Sequence, residues 1–354
     1  MEVRGMKRID VAILGATGMV GQKFVQLLAG HPYFRIAELF ASEKSSGMRL
    51  EEATRWIASE SIPDEAGGLK IKEVGAVPES CLVFSALPSD IAGPVEEKLA
   101  KKDKVVISKA SANRMTPDVP LLVPEVNPEH LELLKAQRKR LGSEGAIITD
   151  PNCTTIGLVL ALKPLQDAFG IREVLVTTMQ AVSGAGLPGV PSLAIVGNII
   201  PYIGGEEEKV QTEPLKILGR MERGAVKNAA FPILASCHRV PVIDGHTESV
   251  HVRLDGKADA TEARTAMEKF KGLPQELGLP SAPPKPVIVR DEEDRPQPRL
   301  DVMAGNGMST VVGRLRQGVD ESSLAFTLVS HNLVRGAAGA AVLDAELLVK
   351  KGMI

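Results

Sequence analysis

The sequence predicts a two-domain α/β protein: an N-terminal Rossmann-like domain with a parallel sheet, then an α+β domain with a large mixed, mainly antiparallel sheet. The 354 residues exceed the size at which one hydrophobic core usually stops growing, which favours two domains. Up to about residue 150, short apolar runs alternate with helical segments, as βαβ units require. Beyond residue 153 the apolar runs become longer, β-branched and partly alternating.

The first predicted domain covers residues 1–150. Its predicted strands are 9–14, 36–41, 82–85, 105–108 and 146–149. Its predicted helices are 19–29, 91–100 and 128–140. Helical periodicity with Ala-rich faces returns in residues 332–354, and we expect this last segment to pack on the first domain and complete it.

The second predicted domain covers residues 151–331. Its predicted strands are 173–182, 246–254 and 309–316. A helix is predicted from Cys153 to about residue 163. Residues 273–298 hold seven of the 24 prolines and an acidic run, which predicts an extended surface excursion or a linker.

The charge balance gives no basis for a polyanionic or membrane partner. The 42 Lys and Arg residues nearly balance 44 Asp and Glu residues, for a net charge of −2, so we expect neither nucleic acid nor membrane binding. Three cysteines without metal-binding spacing predict a reducing compartment, no disulfide framework and no metal site. Residues 1–8 lack the apolar core of a signal peptide and no 18-residue apolar span follows, so we expect a cytoplasmic protein.

A glycine-rich turn directly follows the first predicted strand. The stretch 15–21 is a G-x-x-G-x-x-G variant of the dinucleotide fingerprint and opens a helix. Gly15 would permit the tight turn, Gly18 would let the backbone approach a pyrophosphate, and Gly21 would allow close helix packing. A purely structural turn is the alternative, but the position after an apolar strand favours dinucleotide binding. The expected cofactor contacts in this turn are Gly15, Ala16, Thr17, Gly18, Met19 and Val20.

The end of the second predicted strand indicates which dinucleotide binds. An acidic residue there usually holds the ribose 2′-hydroxyl of NAD, whereas hydroxyls and a cation suit the 2′-phosphate of NADP. Ser42, Lys44 and Ser45 therefore predict NADP. Glu43 argues against it, unless its side chain faces solvent.

Cys153 is a candidate nucleophile because of its position. The stretch 146–157 has the pattern of a short β-branched strand, a polar turn and an apolar helix, so Cys153 would lie at a helix N-terminus. Unpaired backbone amides and the positive end of the helix dipole favour a thiolate there. The alternative is a small buried apolar side chain, with Asn152 or Thr154 as the helix cap.

Further polar candidates occur in the second domain. Gln180 precedes a glycine-rich loop, Arg239 follows a Cys-His pair, and His246 opens a predicted strand. A core histidine bonded to a carbonyl is the alternative for His246, and a solvated strand-end charge is the alternative for Arg239. The acidic run 206–208 could be a solvated first helical turn.

In combination these motifs resemble those of the aspartate-semialdehyde dehydrogenases, in particular the archaeal and fungal branch. The resemblance extends over nearly the whole chain. The matching motifs are 15–21, Pro151-Asn152-Cys153-Thr154-Thr155, Gln180 with Ser183-Gly184-Ala185-Gly186, Glu207-Glu208-Lys209, Arg239 seven residues before His246, and the end motif 332–339.

The resemblance implies NADPH-dependent reductive dephosphorylation of L-aspartyl 4-phosphate to L-aspartate 4-semialdehyde. This is a step in diaminopimelate, lysine, threonine and methionine biosynthesis. A thiolate at Cys153 can displace phosphate from an acyl phosphate and form a thioester that accepts hydride. His246 would be the general acid/base that takes the cysteine proton, and Gln180 would orient the acyl group. Backbone amides after Cys153 would stabilise the oxyanion.

The resemblance also implies substrate contacts. Arg239 would clamp the α-carboxylate with a planar fork of donors, and Glu207 would bind the ammonium group. Lys209 and Arg114 would take the phosphate, although a solvated arginine is the alternative for Arg114. Asn152 would also contact the substrate.

Cofactor contacts and self-association follow from the same resemblance. The further expected cofactor contacts are Ser85, Leu87, Ser183, Gly184 and Asn332. The second domain would be both catalytic and dimerisation domain, with its large sheet as the contact face of a homodimer or homotetramer.

Other functions remain open at this point. Malonyl-CoA reductase and N-acetyl-glutamyl-phosphate reductase are thiol-dependent acyl reductases on the same scaffold. The former differs from the semialdehyde dehydrogenases at the residue before the nucleophile, so Asn152 favours a semialdehyde dehydrogenase. A non-catalytic NADP-binding sensor would need no nucleophile, and the combination of Cys153, Gln180 and His246 argues against it.

Overall fold

The structure is a computed structural model that describes residues 7–354, so most of the charged N-terminal segment 1–8 lies outside the described residues. The chain divides into two compact units. The first holds the described residues up to Leu122 together with Glu129–Asp150 and Ala337–Ile354; the second holds Val123–Pro128 and Pro151–Gly336. Residues 123–128 and 332–336 thus belong to the second unit, whereas the sequence predicts them in the first domain.

The first unit contains a parallel sheet. Its strands are β1 (Ile9–Leu14), β2 (Phe34–Ala41), β3 (Ile71–Glu73), β4 (Leu82–Ser85), β5 (Val105–Ser108) and β6 (Ala146–Thr149). The helices in this part of the chain are α1 (Met19–Leu28), α2 (Leu50–Ala53), α3 (Asp64–Gly67), α4 (Ser89–Ala100) and α5 (Leu134–Leu141). Within the described residues the strand order is β3-β2-β1-β4-β5-β6, and all pairs are parallel. The order reverses between β1 and β4, the switch point beyond which open α/β sheets bind ligands.

The strands of this sheet form where apolar residues run continuously. β4, β5 and β6 are buried along their whole length, as strands covered on both faces are. The sequence misses β3, because three residues are too few to give a periodic pattern. The helix predicted at 128–140 begins as a 3₁₀ segment, Pro128–Leu133, and only then continues as α5. Such 3₁₀ turns are frequent at helix N-termini.

The second unit is built on a mixed sheet. Its helices are α6 (Cys153–Phe169), α7 (Ser192–Ile195), α8 (Glu206–Ile217), α9 (Ala260–Lys269), α10 (Leu273–Leu277) and α11 (Pro298–Asp301). Its strands are β7 (Ile171–Gln180), β8 (Arg220–Glu222), β9 (Ala225–Lys227), β10 (Ile233–Arg239), β11 (His246–Leu254), β12 (Val287–Val289), β13 (Thr310–Gln317) and β14 (Ser323–Ser330). In the part that the structure describes, β8 and β9 form a small hairpin, and the other strands have the order β10-β7-β11-β14-β13-β12.

The predicted fold class is confirmed by this sheet. The three central pairs are antiparallel and the two outer pairs are parallel. The surface excursion predicted at 273–298 is wrong in part, because it contains α10 and also β12, in which Val287 is fully buried. α6 continues past its predicted end and through Pro164, since residues on both sides of that proline are buried.

The C-terminal helix, α12 (Gly339–Lys350), returns to the first unit. There it packs against α1 and β5, and its small alanine side chains are buried. Across residues 7–354, we find no helix with both the length and the apolar character needed to cross a membrane.

Candidate active site

Four polar residues lie side by side at one end of the second sheet because of its register. Arg239 on β10 pairs with Gln180 on β7, and His246 on β11 pairs with Ser330 on β14. Thr247 on β11 pairs with Met179 on β7, so the next residues, His246 and Gln180, lie at the same end of the sheet. All four side chains are buried. The alternation of β10 turns Arg239 to the buried face, which excludes the alternative of a solvated strand-end charge.

Cys153 is the first residue of α6, and Asn152 is the helix cap. Asn152 Oδ1 accepts hydrogen bonds from the backbone N–H groups of Thr154, at 2.9 Å, and Thr155, at 3.4 Å. The amides that the sequence predicts as oxyanion donors are therefore engaged by the cap. Cys153 is half-buried at the positive end of the helix dipole, which favours negative charge on Sγ.

His246 faces the sulfur of Cys153 through one ring nitrogen. Its Nε2 lies 3.2 Å from Cys153 Sγ, and its Nδ1 accepts a hydrogen bond of 3.1 Å from the backbone N–H of Ala181. Because Nδ1 is an acceptor, the proton of the neutral ring lies on Nε2 and points to the sulfur. Burial, the charge of Arg239 and the neighbouring His331 lower the pKa of His246 to about 3, so the ring is neutral at physiological pH.

Arg239 is bound to the same peptide unit as His246. Its Nη1 donates a hydrogen bond of 2.8 Å to the carbonyl oxygen of Ala181. Burial lowers the pKa of Arg239, and attraction to Cys153 and Glu206 opposes that shift. A Cβ added at Gly184 would lie 2.9 Å from Arg239 Nη1 and 3.1 Å from His246 Cε1, so glycine lets this loop approach both side chains.

Glu206 is the centre of a polar network that the sequence does not single out. Its Oε2 accepts hydrogen bonds from Asn152 Nδ2, at 2.8 Å, and from Gln180 Nε2, at 3.4 Å. Its Oε1 accepts a hydrogen bond of 2.9 Å from Lys209 Nζ, one helical turn along α8. Only 8% of Glu206 is exposed. A buried carboxylate therefore lies beside the cap of the cysteine-bearing helix.

Glu207, which the resemblance implies for the ammonium group, points elsewhere. Its Oε1 accepts a hydrogen bond of 3.1 Å from the backbone N–H of Cys237. Successive residues of a helix face directions about 100° apart, so Glu206 and Glu207 point in different directions. Residues three apart share a face, and Lys209 therefore points with Glu206. That spacing was the available signal in the sequence.

Asn332 and Ser183, both predicted as cofactor contacts, are bonded to each other. Asn332 Nδ2 donates a hydrogen bond of 2.8 Å to Ser183 Oγ, and Asn332 Oδ1 accepts one of 2.9 Å from the backbone N–H of Gly245. These bonds join the loop that follows Gln180 to the residue that precedes His246. The side chain of Asn332 thus holds these two segments in place beside the site.

In the first unit, the glycine-rich turn has the geometry of a phosphate-binding loop. Gly15 has a φ of +78°, and a Cβ there would lie 2.7 Å from the carbonyl oxygen of Ala86. A Cβ on Gly21 would lie 2.1 Å from the carbonyl oxygen of Gly15, so α1 can pack this closely only with glycine. Gly18 is exposed, and no side chain in the described residues caps the first turn of α1. Its amides therefore fit a pyrophosphate.

The other residues predicted for ligands in the first unit differ in exposure. Ser42 and Lys44 are exposed in the turn after β2, where Glu43 also faces solvent, and Ser45 is half-buried. Leu87 is buried, and so is Ser85, whose hydroxyl donates a hydrogen bond of 2.7 Å to Glu96. Only the backbone of Ser85 is thus left for a cofactor. Arg114 is buried rather than solvated, and its Nη2 donates a hydrogen bond of 2.7 Å to the carbonyl oxygen of Lys109.

Behind the row of polar residues lies Glu248, a fully buried carboxyl group. It follows His246 by two residues on β11 and faces the same side of the sheet. Neither of its oxygens has a hydrogen-bond partner among the described residues. Burial raises the pKa of Glu248 well above its usual value and so favours the neutral carboxyl group.

Glu248→Gln is expected to gain stability relative to the wild type as the pH rises. The unfolded carboxyl group ionises near its ordinary pKa of 4.5, whereas the folded one ionises at much higher pH. Between those two pKa values unfolding therefore releases a proton, and over that range the wild-type free energy of unfolding falls by about 1.4 kcal/mol per pH unit. Denaturant unfolding of both proteins, at about pH 5 and about pH 8, measures the difference. A difference that does not grow with pH would contradict a neutral Glu248.

Two protein-family models match the chain. The model described as "Semialdehyde dehydrogenase, NAD binding domain" matches residues 10–134, and the one described as "Semialdehyde dehydrogenase, dimerisation domain" matches residues 162–335. The aspartate-semialdehyde dehydrogenase of Methanothermobacter thermautotrophicus is 54% identical over 343 residues, which cover 96% of this chain and 99% of that protein. The malonyl CoA reductase (NADP) of Metallosphaera sedula is 42% identical over 354 residues, which cover 98% of this chain and 99% of that protein.

A solved structure extends the likeness to the fold. The crystal structure of aspartate semialdehyde dehydrogenase with NADP from Candida albicans has a TM-score of 0.89 and 37% sequence identity, and the match covers 98% of this chain and 100% of that chain. An archaeal sequence and a fungal structure thus match over almost their full lengths. The chain therefore belongs to the semialdehyde dehydrogenase family, in the archaeal and fungal branch of the aspartate-semialdehyde dehydrogenases.

Proposed function

We propose that this protein catalyses the NADPH-dependent reductive dephosphorylation of L-aspartyl 4-phosphate to L-aspartate 4-semialdehyde, in the biosynthesis of lysine, threonine and methionine. The membership of the family supports the reaction. The thiol of Cys153 beside His246 supports a covalent thioester route.

One observation carries the choice of substrate: groups of opposite charge flank the cysteine-histidine pair. The guanidinium fork of Arg239 suits a carboxylate, and the buried carboxylate of Glu206 suits an ammonium group. An aspartyl group carries both charges, whereas a malonyl group has no ammonium. We therefore assign the ammonium to Glu206 in place of Glu207. Lys209 and Arg114 remain the proposed partners of the phosphate.

The proposed covalent steps need no side chain that accepts a proton. The thiolate of Cys153 forms a bond to the acyl carbon as the bond from that carbon to the phosphate oxygen breaks. The departing phosphate takes one proton from solvent. Bound NADPH supplies a hydride to the thioester carbon. The carbon-sulfur bond of the resulting alkoxide then breaks, which releases the aldehyde and restores the thiolate, while Gln180 orients the acyl group.

We infer that the cofactor is held mainly by the glycine-rich turn of the first unit. The uncapped amides of α1 and the exposed Gly18 support pyrophosphate binding there. Ser42 and Lys44, both exposed at the end of β2, support binding of the 2′-phosphate.

His246 is proposed to act as a neutral hydrogen-bond donor rather than as the general acid/base that the sequence predicts. The Nε2–H group can donate to the thiolate and then to the alkoxide oxygen, as preorganised donors do. Loss of that proton would leave an imidazolate. A second proton, on Nδ1, would break the hydrogen bond from the N–H of Ala181.

His246→Gln is therefore expected to retain at least about tenfold more activity than His246→Ala, because its amide N–H can still donate, and loss of a single donor costs about 10²- to 10³-fold. The kcat of the wild type should show no ionisation near the ordinary pKa of histidine. Steady-state kinetics across pH measure both. Equal losses in the two variants, with a histidine ionisation in the wild-type profile, would contradict the donor role and support general acid/base catalysis by His246.

A substrate panel tests the proposed function. Aspartate semialdehyde plus phosphate should reduce NADP⁺, while malonyl-CoA and N-acetylglutamate semialdehyde should react at least about 100-fold less efficiently, because a site built for a polar group rejects analogues that lack it. Glu206→Gln should lose most of its kcat/KM for aspartate semialdehyde, and Glu207→Gln is the matched control with little loss. Comparable turnover of malonyl-CoA by the wild type would overturn the proposal.

We also infer self-association and a cytoplasmic location. The match to a model described as a dimerisation domain supports a homo-oligomer. The outer face of the second sheet exposes Leu175 and Leu234, by 39% and 62%, and supports this face as the contact of a homodimer or homotetramer. Cys81, Cys153 and Cys237 are free thiols, which supports a reducing compartment. Size-exclusion chromatography with light scattering measures the oligomeric state.

A further inference from the structure

A short segment, loop 331–336, whose last residues begin the π-helical stretch Val334–Ala338, lies against Cys153 and against the residue before His246. The N–H of Gly336 donates a hydrogen bond of 2.8 Å to the carbonyl oxygen of His331 and closes the loop. Near its start, Asn332 accepts a hydrogen bond from Gly245, the residue before His246. One short segment therefore borders the strand end that carries His246.

The other end of loop 331–336 lies against the nucleophile. A Cβ built on Gly336 would lie 2.7 Å from the Cβ of Cys153, 2.9 Å from its Cα and 3.0 Å from its carbonyl oxygen. The φ of Gly336 is outside the left-handed region, so available space rather than backbone conformation requires a glycine. Any displacement of this loop would change the surroundings of the first turn of α6.

A buried ion pair anchors loop 331–336 from behind. Arg335 donates two parallel hydrogen bonds to Glu125, of 2.9 Å and 2.6 Å, and neither side chain is exposed. A fully buried pair of this kind adds little net stability compared with apolar residues of similar size. Its fork geometry does, however, fix the position of the backbone that carries it.

We propose that Arg335 and Glu125 are positioning residues for the Cys153–His246 pair. The ion pair holds Gly336 against Cys153 and, through the same loop, holds Asn332 against the residue before His246. Both residues act through the backbone rather than on the substrate. The inference relies on the proposed function only for the identity of the reacting pair, since the reactivity of a thiol can be measured without substrate.

The test uses an apolar replacement of the pair, Glu125→Leu with Arg335→Met, so that no unpaired charge is left buried. The rate of iodoacetamide alkylation at Cys153, followed by peptide mass spectrometry across pH, reports the thiol directly. We expect that rate and kcat to fall about 10- to 100-fold, as for a small misplacement of reacting groups, while the KM for substrate changes less than about twofold.

A matched control separates positioning from general stability. Glu346→Gln alters another buried contact, between His31 and Glu346 in the first unit. Glu346 Oε1 lies 2.8 Å from His31 Nε2. This substitution should lower the melting temperature and leave alkylation of Cys153 unchanged. If the folded double variant alkylates Cys153 at the wild-type rate and with the wild-type pH profile, the ion pair is only structural and the proposal fails.

Gly336→Ala supplies an independent arm that leaves the ion pair intact. The added methyl group must displace either the loop or Cys153, so alkylation and kcat should again fall together. An alanine variant with wild-type alkylation and turnover would also overturn the proposal. Neither arm depends on which acyl substrate the protein reduces, so failure of the proposed function would appear separately in the substrate panel.

Discussion

Replacing Cys153 with alanine is expected to lower kcat on the order of 10⁴-fold or more, because the thiol forms the covalent bond and nothing replaces it. NADPH affinity should stay close to that of the wild type, because the glycine-rich turn proposed to hold the cofactor is in the other unit. Steady-state kinetics measure kcat, and fluorescence titration with NADPH measures the cofactor affinity.

The matched control for this variant is Cys81→Ala, which removes an exposed thiol of the first unit. It should be fully active. Residual activity of Cys153→Ala above about 1% of the wild type would exclude the covalent mechanism, since loss of a nucleophile normally costs several orders of magnitude.

Arg239→Leu is expected to cost about 3 kcal/mol or more in kcat/KM for aspartate semialdehyde, because it removes both the charge and the fork for a desolvated carboxylate. Arg239→Lys should lose less, since it keeps the charge without the two parallel donors. The guanidinium also attracts the sulfur of Cys153. The lysine variant should therefore keep near wild-type alkylation of Cys153 while its KM rises.

Arg253→Leu is the control for the arginine series. Arg253 also lies on a strand of the second sheet, β11, but its ion pair with Asp320 is about 40% exposed. Exposed pairs contribute little, so kcat/KM should be unchanged. A fully active Arg239→Leu protein, or equal losses of NADPH and substrate affinity, would mean that the carboxylate partner is another residue.

The sequence predicts most of the first sheet because its strands are continuous apolar runs. β1, β4, β5 and β6 begin and end at the predicted residues. β3 and β12 consist of three residues each and gain their pairing from neighbours that are remote in the chain. Such strands exist through tertiary contacts rather than through a local pattern, so no periodicity reveals them.

A candidate site residue can be predicted from the sequence only where the residues beside it in the chain form a recognisable pattern. Cys153 is recognisable because a strand, a turn and a helix surround it in the sequence. Glu206 is not, because the choice between adjacent acids depends on the direction of α8 relative to Gln180. The pair of Glu125 and Arg335 joins residues 210 positions apart, and complementary charge is too common to indicate a partner at that distance.

The placement of Glu206 on α8, apart from the sheet and α6 that hold the reacting groups, has an evolutionary consequence. In the proposed site, recognition of the amino group and formation of the thioester reside on separate elements, so mutations in one turn of α8 can alter the preferred acyl donor without replacing the nucleophile. A malonyl CoA reductase that is 42% identical over 354 residues shows that a relative named for another acyl donor is similar over nearly the whole chain. Divergence within this family then needs no new nucleophile, only a new neighbour for it.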